Sequence, residues 1–220
     1  MRHQESISFL RDLMRDRIQR SIEVKKKLLL DDGYLDLVVQ VAMQIVKSLR
    51  AGGKVVFFGN GGSAADAQHL AAEFTGRYLK ERRALPALAL SVNTSSVTAI
   101  GNDYGFDLVF ARQLEALGKE GDVAVGISTS GNSRNVIRAL EIAKSKSIYT
   151  AALTGASGGV LRSVADCTIR IPSDETPRIQ ECHILTGHII CEIVEEMLFD
   201  KSGNETPEPD SAKNASTPGS

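Results

Sequence analysis

Lys54-Val55-Val56-Phe57-Phe58-Gly59-Asn60-Gly61-Gly62-Ser63 is the stretch on which the fold reading turns. The run 54–58 is short and shows no polar/apolar alternation, the pattern of a parallel strand covered on both faces. It stops in a glycine-rich loop, and helical spacing takes over at 64–74. Strand, polar loop and helix recur downstream. Strands are expected at 87–92, 122–127, 149–153 and 167–171, the last closed by Pro172. Helical stretches at 97–100, 108–117 and 135–144 separate them, a short helix follows 154–159, and a long one runs from about 177 to 199. The expectation is an α/β protein, a doubly wound five-stranded parallel sheet flanked by helices. Ligands of such sheets bind beyond the carboxyl ends of the strands, near the point where strand order reverses. The loops after the first and third strands are therefore the first places to look.

Upstream, residues 1–50 read as two helices. Ile7, Leu10, Leu13, Met14 and Ile18 recur at helical spacing, as do Leu35, Leu37, Val38, Val41, Ile45, Val46 and Leu49, with Asp31-Asp32-Gly33 breaking the pattern. Helices placed before an α/β core must bury an apolar face, and another subunit is a plausible surface for it. The core domain is expected over 51–200. Residues 201–220 hold no Leu, Ile, Val or aromatic side chain, so they are expected to be a disordered tail.

The 220 residues are 42% hydrophobic and 24% charged, the composition of a soluble globular protein. The 26 basic and 27 acidic residues leave no basic field, which argues against nucleic acid as a partner. No apolar window is long enough for a membrane span. The charged start, MRHQESISFLRDLMRDRIQR, does not read as a secretory signal. Cys167, Cys182 and Cys191 form no CxxC pair and read as buried, reduced thiols of a cytoplasmic protein.

Two loops carry the chemistry. Residues 59–63 offer glycine backbone at a helix N-terminus, a place that favours anions but also that of any tight βα turn; no P-loop or G-x-G-x-x-G is present. Ser128-Thr129-Ser130-Gly131-Asn132-Ser133 places four hydroxyls in six residues between strand and helix. One hydroxyl suffices for an N-cap, so four favour a phosphate cradle built of hydroxyls and backbone N–H groups. His69 and Glu73, four apart, share one helix face and suit a metal, proton transfer or a plain solvated pair. On the last helix, His183 and His188 are five apart and diverge, so at most one joins a given site. Gln180 and His188 are eight apart, about 12 Å along a helix, which is long for two ligands of one metal. Asn102-Asp103-Tyr104-Gly105 reads as a turn that would also present a carboxylate to a polyol.

GNGGSAADAQHLAAEFTGR (59–77), AIGNDYGF (99–106), GDVAVGISTSGNSRNV (121–136), ALTGASGG (152–159) and RIQECHILTGHIICEIVE (178–195) match, in order, the sugar isomerase (SIS) family, and the chain resembles its phosphoheptose isomerase branch from about 34 to 199. That resemblance implies a five-stranded parallel sheet, a homotetramer with active sites at subunit interfaces, and one zinc ion per subunit. It implies interconversion of sedoheptulose 7-phosphate and D-glycero-D-manno-heptose 7-phosphate, the first step toward nucleotide-activated heptose for lipopolysaccharide core, capsule or S-layer glycans. His69, Glu73, Gln180 and His188 would hold the metal. Ser128, Thr129, Ser130 and Ser133 would hold the phosphate. Asn60, Gly61, Gly62, Ser63, Glu73, Asn102, Asp103 and Gln180 would line the sugar, with Arg77 reaching it from a neighbouring turn. His188 would be the principal base and Glu73 its partner. A regulator of the same fold that binds the bacterial replication initiator protein is the second reading. Members of that group typically lack the carboxylate and imidazole that this chain has at Glu73 and His188. One departure is Asn93, where isomerases often carry Asp.

Overall fold

The first strand, β1 (Val55–Gly59), is buried at every position, as its unbroken apolar run predicts. The computed structural model describes residues 2–206. Before β1 come α1 (Arg2–Leu29) and α2 (Asp32–Arg50); after it come α3 (Gly62–Thr75), β2 (Ala87–Ala89), α4 (Thr94–Tyr104) and α5 (Ala111–Leu117). Then follow β3 (Val123–Ser128), α6 (Arg134–Ser145), β4 (Tyr149–Thr154), α7 (Leu161–Val164), β5 (Cys167–Arg170) and α8 (Thr176–Leu198). The strands form one parallel sheet in the order β2-β1-β3-β4-β5. The chain leaves β1 in one direction to β2 and in the other to β3, so the loops after β1 and β3 open at the switch point.

Alternate residues of each strand feed two cores. Phe57, Val125 and Leu153 pack with Val41 and Ile45 of α2, Leu70 and Phe74 of α3, and Ile190 and Val194 of α8. Phe58 and Ala124 pack on the other face with Leu114 of α5, Leu140 of α6 and Leu161 of α7. The three cysteines are free and buried; burial pushes the Cys191 thiol up to about 12, so it behaves as a small apolar residue.

Several expectations need correcting. The strand expected over 87–92 ends at Ala89: Leu90 donates once more to Phe57 O (3.0 Å), and the edge strand then leaves the ladder. Asn102, Asp103 and Tyr104 are not a turn but the last residues of α4, stopped by Gly105 at φ 88°. Asn93 caps α4, its side-chain oxygen accepting from Ser96 N–H at 3.0 Å. Asn and Asp cap about equally well, so this role survives the departure from Asp. The tail is ordered through 206. Asp200 accepts from the N–H groups of Ser202 (2.8 Å) and Asn204 (2.9 Å), and Thr206 N–H donates to Leu198 O at 2.8 Å. These polar turn bonds need no apolar side chains, which is why composition missed them. The rest of the expected tail, 207–220, lies outside the described residues.

Two features of α8 set how it sits on the sheet. Gly187 faces Leu70 of α3 so closely that a Cβ there would stand 2.5 Å from Leu70 Cδ2. His183 is 1% exposed beneath the end of β4, with Nε2 donating to Thr154 O at 3.1 Å. Burial lowers its pKa to about 4, the bond to Thr154 opposing. Gly187→Ala should therefore destabilise the fold by about 1–3 kcal/mol through overpacking, read by urea unfolding; an unchanged midpoint would mean that helix spacing is not set there. The His183 effect has a defined sign. The unfolded chain takes up the proton first, so stability is full above about pH 6.5 and falls toward pH 4. The shift to about 4 corresponds to about 3 kcal/mol over that window. His183→Gln should flatten this part of the pH–stability curve relative to the native chain, and parallel curves would refute the assignment.

Candidate functional site

α3 begins where β1 ends, and its third and fourth turns present His69 and Glu73 toward α8. α8 returns His188 to the same point. His69 Nε2 lies 2.8 Å from His188 Nε2 and 3.2 Å from Glu73 Oε1. One ligand atom from each residue lies within 4.8 Å of the others. Two imidazole nitrogens and a carboxylate oxygen form a borderline donor set of the kind that holds zinc and neighbouring divalent ions. Zn–N bonds of about 2.0–2.1 Å in a tetrahedral site would place the two nitrogens about 3.3 Å apart. The rings would need to part by only a few tenths of an ångström, so the residues fit a metal.

Gln180, the fourth residue of the expected ligand set, stands at the start of α3. Its amide nitrogen occupies the space that a side chain at Gly62 would fill, 2.5 Å from where a Cβ would lie. It thus lies beside the glycine loop, where Gly61 takes φ 56° at the head of the helix. Ser63 is buried there, its N–H donating to Asn60 O at 3.0 Å.

The loop after β3 gathers its hydroxyls. Ser128 Oγ lies 2.9 Å from Ser133 Oγ and 3.4 Å from Ser130 Oγ. Ser133 occupies the N-cap of α6 yet makes no side-chain capping bond, so its hydroxyl is turned into the cluster instead. That disposes of the simple N-cap reading. Gly131, at φ 67°, packs against Gly158 so closely that no Cβ fits, and Leu161 N–H donates to Gly131 O at 3.0 Å. The glycines of 152–159 thus brace the hydroxyl loop. Thr129 opens onto a polar cavity of about 330 Å³, shared with Ser157, Ser173, Asp174 and Thr176.

Other expected residues have their partners outside the triad. Arg77 is mostly exposed and pairs with Glu81 at 3.6 Å. Asn102 donates to Asp103 Oδ1 at 2.8 Å. Asp103 borders an apolar cavity of about 590 Å³ between β2, α4 and α5. Asn60 exchanges amide bonds of 2.9 and 2.8 Å with Asn135, tying the loop after β1 to α6. Sequence reading missed Asn135, although the NSRN run that contains it was in view. It also missed Tyr78, whose ring stacks on His188 with centroids 5.7 Å apart, and the buried pair Arg82–Glu195. Asp66, one turn before His69, keeps a buried Oδ2 without a hydrogen-bond partner among the described residues. Burial raises its pKa, with His69 opposing.

Comparison with known proteins identifies the family. The SIS domain family matches residues 35–155. The phosphoheptose isomerase of Aneurinibacillus thermoaerophilus is 53% identical over 190 residues, covering 86% of this chain and 96% of that relative. That of Rhodospirillum rubrum is 58% identical over 161 residues, covering 73% of this chain and 86% of its own. The solved structure of phosphoheptose isomerase from Neisseria gonorrhoeae aligns with a TM-score of 0.80 at 44% identity, covering 85% of this chain and 99% of that one. With its glycine loop, hydroxyl loop and His–Glu–His cluster on one parallel sheet, the chain belongs to the phosphoheptose isomerase family of SIS-domain proteins.

Proposed function

We propose that this chain interconverts sedoheptulose 7-phosphate and D-glycero-D-manno-heptose 7-phosphate, the first step toward nucleotide-activated heptose for surface glycans. The observation that carries the reading is the convergence of His69, Glu73 and His188 on a sheet whose next loop clusters the hydroxyls of Ser128, Ser130 and Ser133. The alternative, a regulator that binds the replication initiator, gives no reason for an intact His–Glu–His cluster.

The two sites divide the substrate. The phosphate rests on Ser128, Thr129, Ser130, Ser133 and the N-terminus of α6, where hydroxyls and backbone N–H groups meet a dianion without a lysine. Asn60, Gly61, Gly62, Ser63 and Gln180 line the sugar between that loop and the triad. Binding energy at the phosphate end then orients carbons that it never touches. At the reacting end a base takes a proton from C1 of the ketose. The C1–H electron pair forms the enediol, and a proton is returned to C2 while another moves from O1 to O2. His188 is the principal base and Glu73 its partner. Zinc, one per subunit on His69, Glu73 and His188, would supply Lewis-acid stabilisation of the developing oxyanion when bound; Gln180, the fourth donor of the expected set, would have to swing away from Gly62 at the start of α3 to join them. A lone pair performs one task at a time, so the residue that acts as base in a turnover is not then a metal ligand, and variants of Glu73 and His188 are read for metal content as well as turnover.

The assembly we propose is a cytoplasmic homotetramer with active sites shared between subunits. Two observations support it. The N-terminal helix leaves Phe9 66%, Met14 63% and Ile18 58% exposed, an apolar face that needs a cover. Within this chain Arg77 pairs with Glu81 and Asn102 with Asp103, so their place in a shared site would be at a neighbour's triad. Among the described residues, no helix is long and apolar enough to cross a membrane.

Incubation with sedoheptulose 7-phosphate, with and without zinc, followed by NMR should show zinc-dependent aldose; no conversion by metal-loaded protein would refute the substrate assignment. Glu73→Gln and His188→Ala should each lower kcat by about a hundred- to ten-thousandfold while the oligomer persists. Activity retained in both would remove their assigned roles. Ser130→Ala should mainly raise KM, because uniform phosphate binding is lost; an unchanged KM would place the phosphate elsewhere.

A further inference from the structure

Glu195 lies two turns beyond His188 on α8, and its carboxylate is 2% exposed, as is the side chain of its partner Arg82. Arg82 Nε donates to Glu195 Oε1 at 2.8 Å. The remaining arms of the guanidinium reach the end of α3: Nη2 donates to Glu73 O at 2.8 Å and Nη1 to Phe74 O at 3.0 Å. The helix that carries Glu73 is thereby tied, through one planar fork, to the helix that carries His188. The other acceptor positions of Glu195 take the N–H groups of Tyr78 (2.9 Å), Leu79 (2.8 Å) and Lys80 (3.0 Å). Those bonds fold the segment after α3 back onto α8. They seat the Tyr78 ring on the His188 imidazole, with centroids 5.7 Å apart and planes 29° from parallel. His69 meets His188 edge-on from another side, centroids 5.0 Å apart. The His188 ring is thus held between Tyr78 and His69.

We infer that Arg82, Glu195 and Tyr78 are positioning residues for the metal-binding cluster: the buried pair fixes the separation of the ligand-bearing helices, and Tyr78 fixes the ring of His188. Restraint of this kind matters most for an imidazole ligand, whose ring orientation is set by what surrounds it. The fork geometry also selects arginine, since lysine offers a single point charge and cannot reach Glu195 and the Glu73 carbonyl together. The inference rests on the metal reading of the triad, and the test separates the two.

The test is a titration of the metal-free full chain with Co²⁺, whose visible absorption reports the donor set, alongside thermal unfolding and steady-state kinetics. The native chain should bind Co²⁺. Tyr78→Ala and Arg82→Lys should each weaken that binding by about ten- to a hundredfold. Both should lower kcat and leave KM for sedoheptulose 7-phosphate nearly unchanged, because the hydroxyl loop belongs to other elements. Tyr78→Phe, which keeps the ring, should restore both affinity and kcat. A native chain that binds no Co²⁺ would overturn the metal reading and this inference with it. Native binding with unchanged affinity and spectrum in Tyr78→Ala and Arg82→Lys, even at lowered melting temperature, would overturn the inference alone. Tyr78→Ala does not touch the buried pair, so it still decides the matter if Arg82→Lys fails to fold.

Discussion

The distance between α3 and α8 governs the rest of the site. Their sequences are separated by most of the sheet, yet His69 and His188 must bring ring nitrogens to 2.8 Å. Side chains of ordinary size between the helices would hold the axes near 8–10 Å apart. Here Gly187 removes one side chain at the contact, and Leu70 fills the space that it leaves. Leu70 follows His69 directly, and Gly187 precedes His188. A close contact of the two helices therefore lies where the imidazoles leave them. Packing and chemistry there involve neighbouring residues on each helix.

The other end of the site is built from backbone. The hydroxyl loop after β3 is held from both sides, by Gly131 against the glycines after β4 and by the Asn60–Asn135 amide pair across to β1. None of these braces uses the hydroxyls themselves, so Ser128, Ser130 and Ser133 keep capacity for a ligand beyond their mutual bonds. The parallel sheet supplies the frame. β1 and β3 are neighbours in register, Phe57 beside Val125, so their loops rise side by side at the carboxyl edge. A phosphate loop on fixed backbone and a reacting cluster on two clamped helices suit a reaction that must place two adjacent carbons accurately.

Much of this was legible in the sequence because it is written in short-range pattern. Unbroken apolar runs gave the buried strands, and the four-residue spacing of His69 and Glu73 gave their common face. Four hydroxyls in six residues exceeded what capping requires, and Ser133 indeed does not cap. The five-residue offset of His183 and His188 implied divergence, and the structure buries one against Thr154 while the other joins the cluster. Illegible were properties that depend on long-range partners. Nothing near Arg82 announces that its partner is Glu195, and nothing in Asn60 announces Asn135. The edge strand β2 was overestimated because apolar residues at 90 and 92 continue the pattern after pairing has ended. The segment 201–206 was underestimated because a carboxylate that accepts backbone N–H groups orders a chain without burying apolar surface.

The Arg82–Glu195 pair bears on what kind of constraint this fold uses. Taking two charges out of water is costly, and a buried pair is often no more stabilising than apolar residues of the same volume. An aliphatic pair would have packed α8 against the segment after α3 with less electrostatic risk. It would not have reached the main chain. Glu195 gathers three consecutive N–H groups, and Arg82 takes the carbonyl of Glu73 near the end of α3 and joins Leu85 N–H on the carbonyl of Phe74. The hydrogen bonds pull the Glu195 carboxyl below its ordinary range, against the opposing effect of burial, which is the mark of a carboxylate stabilised in its charged form. Directional bonds to fixed backbone atoms define an angle and a distance, whereas hydrophobic contact defines only proximity. A cluster that must hold three ligand atoms within a few ångströms of one another needs the former kind of contact close by. Here that contact lies within two helical turns of both Glu73 and His188.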